Sequence, residues 1–192
     1  IPYTYTPQHI QGSEAMIENG DKPLLQIVPQ QKADASIDSL AYQYHLQGDA
    51  LAGKATYQLR GDMKEWFMSI IDDAGNKNSD DILANNLNAD THNMTVSDVK
   101  WTDQDARHEW ARFTGNVVNK PAVQQMDGEI YIELNPHNNL FDNRIDTTGR
   151  SNDYYFPVRC NIVRQASLLI PTGYKVDYLP PSAKFSTPEG IL

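Results

Sequence analysis

The sequence predicts a mainly-β fold, an antiparallel β-sandwich with a short helical insertion at about residues 62–90. Three observations carry that expectation. Apolar and polar residues alternate with period two in several segments, glycine-bearing dipeptides turn the chain between them, and one stretch has helical spacing.

In residues 40–47, Leu40, Tyr42, Tyr44 and Leu46 alternate with Ala41, Gln43, His45 and Gln47. In residues 51–60 the apolar set moves to odd positions, Leu51, Ala55, Tyr57 and Leu59. Alternation means a strand with one buried face, and Gly48-Asp49 between the two segments suits a tight hairpin. Next, Met63, Trp66, Phe67, Ile70 and Ile71 fall on one stripe of an α-helix, which makes Trp66 a core residue. Asp62 followed by Glu65 has the spacing of an acidic capping box. A second short helix is expected over residues 79–87, with Ile82, Leu83 and Leu87 on its apolar side. Residues 107–118 read as a less regular strand, because Trp110 and Phe113 fall on opposite faces. Asp127-Gly128 predicts a hairpin joining residues 121–126 to residues 129–135, with Ile130, Ile132 and Leu134 turned inward. A long strand is expected to carry Tyr154, Phe156, Val158, Cys160 and Ile162 on one face. A last one carries Tyr174, Val176 and Tyr178, between Pro171-Thr172-Gly173 and Pro180-Pro181.

The chain has 192 residues and a formal charge of −9. Residues 62–105 contain ten acids and three lysines, so this stretch holds −7 of that charge. A net acidic chain repels phosphate backbones, which argues against nucleic acid as a partner. No apolar run approaches the roughly 18 residues of a membrane helix, so the chain is not expected to span a membrane. The first residues, Ile1-Pro2-Tyr3-Thr4, lack the basic and apolar regions of a signal peptide. Both ends read as cut, which makes a fragment of a longer polypeptide the expectation; a processed protein beginning at Ile1 is the alternative. A strand removed at the C-terminus would leave an edge near residues 174–192 that self-associates or stays poorly ordered.

The motif chemistry assigns no catalytic, cofactor-binding or metal-binding residue. Cys160 is the one thiol; it cannot form an internal disulfide, and its place mid-strand among Phe156, Val158 and Ile162 makes it a core cysteine. The five histidines, His9, His45, His92, His108 and His137, show no zinc-binding spacing. Asp146-Thr147-Thr148-Gly149 resembles an aspartic-protease loop with one threonine too many. Asp72, Asp73, Asp80 and Asp81 flank a loop with oxygen ligands of the kind calcium takes, but it lacks the glycine and terminal glutamate of an EF-hand. A solvated acidic surface is the expectation there. Trp101 and Trp110 leave open a sugar-stacking role.

The stretch Leu169-Ile170-Pro171-Thr172-Gly173-Tyr174-Lys175-Val176-Asp177-Tyr178-Leu179-Pro180 resembles a GY-x-V-x-x-LP signature. That signature belongs to the C-terminal β-rich region, of unknown function, of bacterial transglutaminase-like envelope proteins common in Bacteroidetes. Gly12 with Ala15, Met16 and Ile17 is similar to the exit from that family's transglutaminase core. Residues 24–29 resemble a short strand ending in proline, residues 48–61 a glycine-bearing hairpin, and Tyr155-Phe156-Pro157-Val158 the strand before the signature. Arg159 departs from the pattern, and none of the core's Cys, His and Asp landmarks is present. The resemblance implies a linker over residues 1–23 and a β-sandwich accessory domain over residues 24–192. It implies a non-catalytic accessory or interaction domain, no enzyme in itself and without cofactors. Its partner would be the neighbouring transglutaminase-like domain or an envelope protein, in the periplasm or at the cell surface. A carbohydrate-binding β-sandwich module, with a glycan as partner, is the alternative.

Overall fold

The structure, a computed structural model, describes residues 6–75, 79–89, 93–102, 108–134, 149, 151, 159–184, 186–187 and 190–191. Strands hold 45% of these residues and helices 18%, which makes the chain a mainly-β, sandwich-like protein with a helical insertion. In order they are β1 (Glu14–Ile17), β2 (Leu24–Ile27), β3 (Ile37–Gln47), β4 (Ala50–Arg60), α1 (Asp62–Ala74), α2 (Ser79–Leu87), β5 (Met94–Trp101) and β6 (Trp110–Asn119). β7 (Val123–Met126), β8 (Glu129–Ile132), β9 (Asn161–Leu169), β10 (Ser186–Thr187) and β11 (Gly190–Ile191) follow.

The main sheet has five strands in the order β5-β6-β4-β3-β9. β3 and β4 pair antiparallel through the expected turn, with Leu40 opposite Tyr57 and Leu46 opposite Leu51, and Gly48 takes φ 62° there. The second expected hairpin, β7–β8, also forms, and its turn places both Asp127 and Gly128 at positive φ, as a type I′ turn requires. The β1–β2 hairpin pairs Ala15 with Gln26, so it joins residues on both sides of the expected boundary at 23.

The inner face of the sheet presents Leu40, Tyr42 and Tyr44 from β3, Leu51, Tyr57 and Leu59 from β4, and Phe113 and Val117 from β6. Phe67 of α1, Leu83 and Leu87 of α2 and, more peripherally, Val123 and Ile132 of the β7–β8 hairpin pack onto it. This second layer closes the core. Tyr57, Phe113 and Phe67 stack in series, at centroid distances of 5.1 and 5.3 Å, and Trp101 tilts against Phe113 at 5.9 Å. Gly115 makes room for α2, since a Cβ there would meet Leu87 Cδ1 at 2.9 Å.

Four expectations need correction. β9 joins the sheet parallel to β3, not antiparallel, which the single-hairpin logic of the sequence does not reveal. The long strand expected to end at Ile162 instead begins at Asn161; residues 152–158 lie outside the described residues, and Cys160 precedes the strand, half-buried. Residues 174–178 alternate but form no strand. Alternation alone does not satisfy backbone N–H and C=O groups, and among the described residues no strand offers them a ladder. Trp66 is 59% exposed, while Lys64 on the same helix is buried.

The start of α1 explains that rotation. Its N-cap is Gly61, with no side-chain cap of its own, and the Asp62–Glu65 pair begins one residue inside the helix. Ser36, which is fully buried, supplies the cap from just before the start of β3, the end that lies beside Arg60: its Oγ accepts from the Met63 N–H at 3.1 Å. Lys64 Nζ donates to the His108 carbonyl. These anchors turn Lys64, Phe67 and Ile71 toward the sheet and Trp66 toward water. Gly61 has φ 63° and ψ −139°, and a Cβ there would lie 2.3 Å from the Ala35 carbonyl oxygen. Gly61→Ala is therefore expected to cost at least about 1–3 kcal/mol, read as a lower urea midpoint with an unchanged slope.

Candidate interaction surface

The parallel strand is tied to its neighbour by a polar cluster on the inner face. Arg164 of β9 stands opposite Leu40 of β3 and reaches back to Asp38, donating from Nη1 to Oδ1 at 2.8 Å and to the main-chain carbonyl at 3.0 Å. Its guanidinium carbon is 5.9 Å from the Tyr57 ring, and the Tyr57 hydroxyl lies within the electrostatic reach of both Asp38 and Arg164. Burial by itself would lower the Arg164 pKa, but the hydrogen bond and charge of Asp38 raise it. Arg164 stays charged beside Asp38.

Burial is also the main reason that the Tyr42, Tyr44 and Tyr57 hydroxyls are held far above their ordinary range; at Tyr57 the Asp38 charge adds to it. The Cys160 thiol is likewise pushed up by burial first and then by the Asp38 charge. A protonated thiol is a poor nucleophile, and phenols held in their neutral form are poor bases. This cluster braces two strands; its chemistry supplies neither a base nor an activated nucleophile.

The tyrosines yield a pH prediction. Folding raises their pKa, so above about pH 10 the unfolded chain releases phenolic protons first. Their contribution is intact below pH 10 and is lost as pH rises toward the folded values, by about 1.4 kcal/mol per pH unit for each tyrosine. Two of them differ in kind. Tyr42 donates to the Leu87 carbonyl at 2.9 Å, whereas the buried Tyr44 hydroxyl has no hydrogen-bond partner among the described residues. Tyr44→Phe is expected to leave stability unchanged or raise it by up to about 1 kcal/mol, and Tyr42→Phe to cost about 1 kcal/mol. Both variants should flatten the alkaline decline, measured by thermal melts across pH 8–11.

The other candidates do not converge. Asp72, Asp73, Asp80 and Asp81 are all exposed, residues 76–78 between them lie outside the described residues, and no group of three or more His, Cys, Asp and Glu among the described residues is placed to hold a metal ion. His92, His137 and Asp146 lie outside the described residues. Trp101 belongs to the core, Trp110 is on the opposite face beneath Arg60 at 5.1 Å, and Trp66 projects from the helix. The three form no common stacking platform.

What the molecule does present is apolar surface. In the β1–β2 hairpin Met16 is 72% exposed, and Leu25 and Ile27 are also open to solvent. At the end of β9 Leu169 is 73% exposed, and beyond it Tyr178 is 75% exposed, with Ile170, Tyr174, Val176 and Leu179 exposed between or beside them. Contiguous apolar exposure of this kind marks interaction sites. β9 is also an outer strand of the sheet, with one edge unpaired among the described residues. Sequence reasoning missed both β9 and this edge. No helix of the described residues is long and apolar enough to cross a membrane. Comparison with protein-family models, curated proteins and solved structures finds no match for the chain.

Proposed function

We propose that the chain is a non-catalytic accessory and interaction domain of an exported transglutaminase-like protein, acting in the periplasm or at the cell surface. Its partner in this reading is the neighbouring catalytic domain or an envelope protein. One observation carries the reading: residues 169–180, whose GY-V-LP motif bears the family resemblance, lie in a solvent-exposed segment, without regular structure after Leu169, rather than in the core. A packing motif would be buried; an exposed one with Tyr174, Val176, Tyr178 and Leu179 is suited to contact. The buried polar cluster supports the same reading, because its charges are spent on each other and its thiol is held protonated.

The open reading frame around the chain is the first test, with a transglutaminase-like core in the same polypeptide as the expected result. That core, produced separately, should bind the chain, and Tyr178→Ser with Leu179→Ser should weaken binding by about tenfold, while Cys160→Ala leaves it unchanged. A frame without such a core, or binding indifferent to the Tyr178 and Leu179 changes, overturns the proposal. The carbohydrate-binding alternative has less support, since the tryptophans stand on separate surfaces. Saturable quenching of tryptophan fluorescence by envelope glycans would restore it.

A further inference from the structure

The outer edge of β9, unpaired among the described residues, has a self-complementary geometry, and we propose that two copies of this chain pair there, antiparallel, into a continuous ten-stranded sheet. The direction of its main-chain groups comes first. The Asn161 N–H donates to the Ser36 carbonyl at 2.9 Å, so odd-numbered residues of β9 turn their N–H and C=O groups toward β3. Alternation along a strand then turns those of Ile162, Arg164, Ala166 and Leu168 outward. Among the described residues no strand takes them.

An antiparallel pair must match outward residues with outward residues. A two-fold axis at Gln165, the middle of the strand, does this along its whole length. It sets Ile162 opposite Leu168 and Arg164 opposite Ala166 of the second copy, and every outward donor and acceptor is paired. One face of the seam then carries two apolar Ile162–Leu168 pairs. On the other, Gln165 meets its own counterpart, and two uncharged amides can bond to each other. Shifting the register by one residue would place outward groups opposite inward ones and lose the ladder.

Charge favours a second copy at this edge. The molecule carries −9, so copies repel across most approaches. β9 contains a single ionisable side chain, Arg164, and the 2.8 Å pair with Asp38 neutralises it. The strand is a neutral strip on an acidic protein. It also lacks the lysines, prolines and bulges that keep edge strands from pairing, while Ile162, Val163 and Leu169 are exposed along it. This seam leaves Tyr178 and Leu179 to the neighbouring-domain contact, so the two readings stand or fall separately.

Charge swapping at the axis tests the proposal. Gln165 is exposed and faces away from the core, so Gln165→Lys and Gln165→Glu should fold as the parent does. Sedimentation over a range of concentrations should show the parent dimerising. Each variant alone should dimerise about fivefold or more weakly, because like charges meet across the axis, and an equimolar mixture of the two should recover the dimer. Amide exchange gives a second reading: protection at Ile162, Arg164, Ala166 and Leu168 should rise with concentration, while that at Val163, Gln165 and Ser167 does not. A parent chain that stays monomeric at every concentration overturns the proposal. So does a dimer that ignores both charges, or a mixture no tighter than either variant alone. Binding of the neighbouring core, read through Tyr178→Ser, is unaffected by any of these outcomes.

Discussion

Replacing Arg164 by leucine is expected to lower the unfolding free energy by about 3–5 kcal/mol, because it strands Asp38 as an uncompensated charge in the inner layer. The two side chains are 16% and 9% exposed, so water cannot take over the role of the guanidinium. Asp38 would also lose the donor to its own main-chain carbonyl. In a chain of this size the midpoint should fall by roughly 6–20 °C. The partner change separates pairing from packing. Asp38→Leu alone should cost a similar amount, whereas the double variant should recover much of the loss, since two leucines bury no charge. The loss should show first at β9, as faster amide exchange along residues 161–169. Double-variant stability equal to the sum of the two single losses would mean that the pair contributes nothing as a pair.

Phe113→Ala is expected to cost about 3–5 kcal/mol by a different route. Phe113 is fully buried in the middle of β6 and touches three other rings, Tyr57, Phe67 and Trp101. Those rings come from a strand, a helix and the outer strand β5, so none can fill the space without dragging its own element. A cavity therefore remains, and its lining loses contacts on one side. The prediction is checked by urea unfolding and by near-ultraviolet circular dichroism, where the loss of ring coupling should dim the aromatic signal. Phe113→Leu should recover roughly half of the loss, because it refills most of the volume.

Much of the fold was legible where one face of an element is buried and its neighbour follows in sequence. The β3–β4 and β7–β8 hairpins are of this kind, since local turn chemistry and alternation agree on one register. β5 was missed because its register shifts between Ser97 and Lys100 with Asp98 at φ 50°. The irregularity puts Val96 and Trp101 on the same face and erases the period of two. β9 was misplaced because its apolar residues occupy both faces, so residues 161–169 show no alternation to read. The tail at residues 174–178 failed in the opposite sense, with alternation but no partner. Of the interaction surface, the sequence exposed the motif at residues 169–180 but not that it lies outside the core.

The amino-acid pattern by itself determined that this chain is mainly β, where its hairpins turn, and that two helices, α1 and α2, follow β4. Each of these depends on neighbours within a few residues, and the energetics of a turn or an amphipathic stripe are local. The tertiary structure alone decided that β9 runs parallel to β3, 126 residues away at the Asp38–Arg164 pair, because a distant strand is chosen by the groups it can satisfy. It also decided which side of α1 faces inward. An apolar stripe specifies that a helix must pack, but Met63, Trp66, Phe67, Ile70 and Ile71 span too wide an arc to set its rotation. Ser36 at the helix start and the His108 carbonyl at Lys64 set it instead, since buried polar groups accept only partners at hydrogen-bond distance while apolar contacts tolerate a turn of the helix.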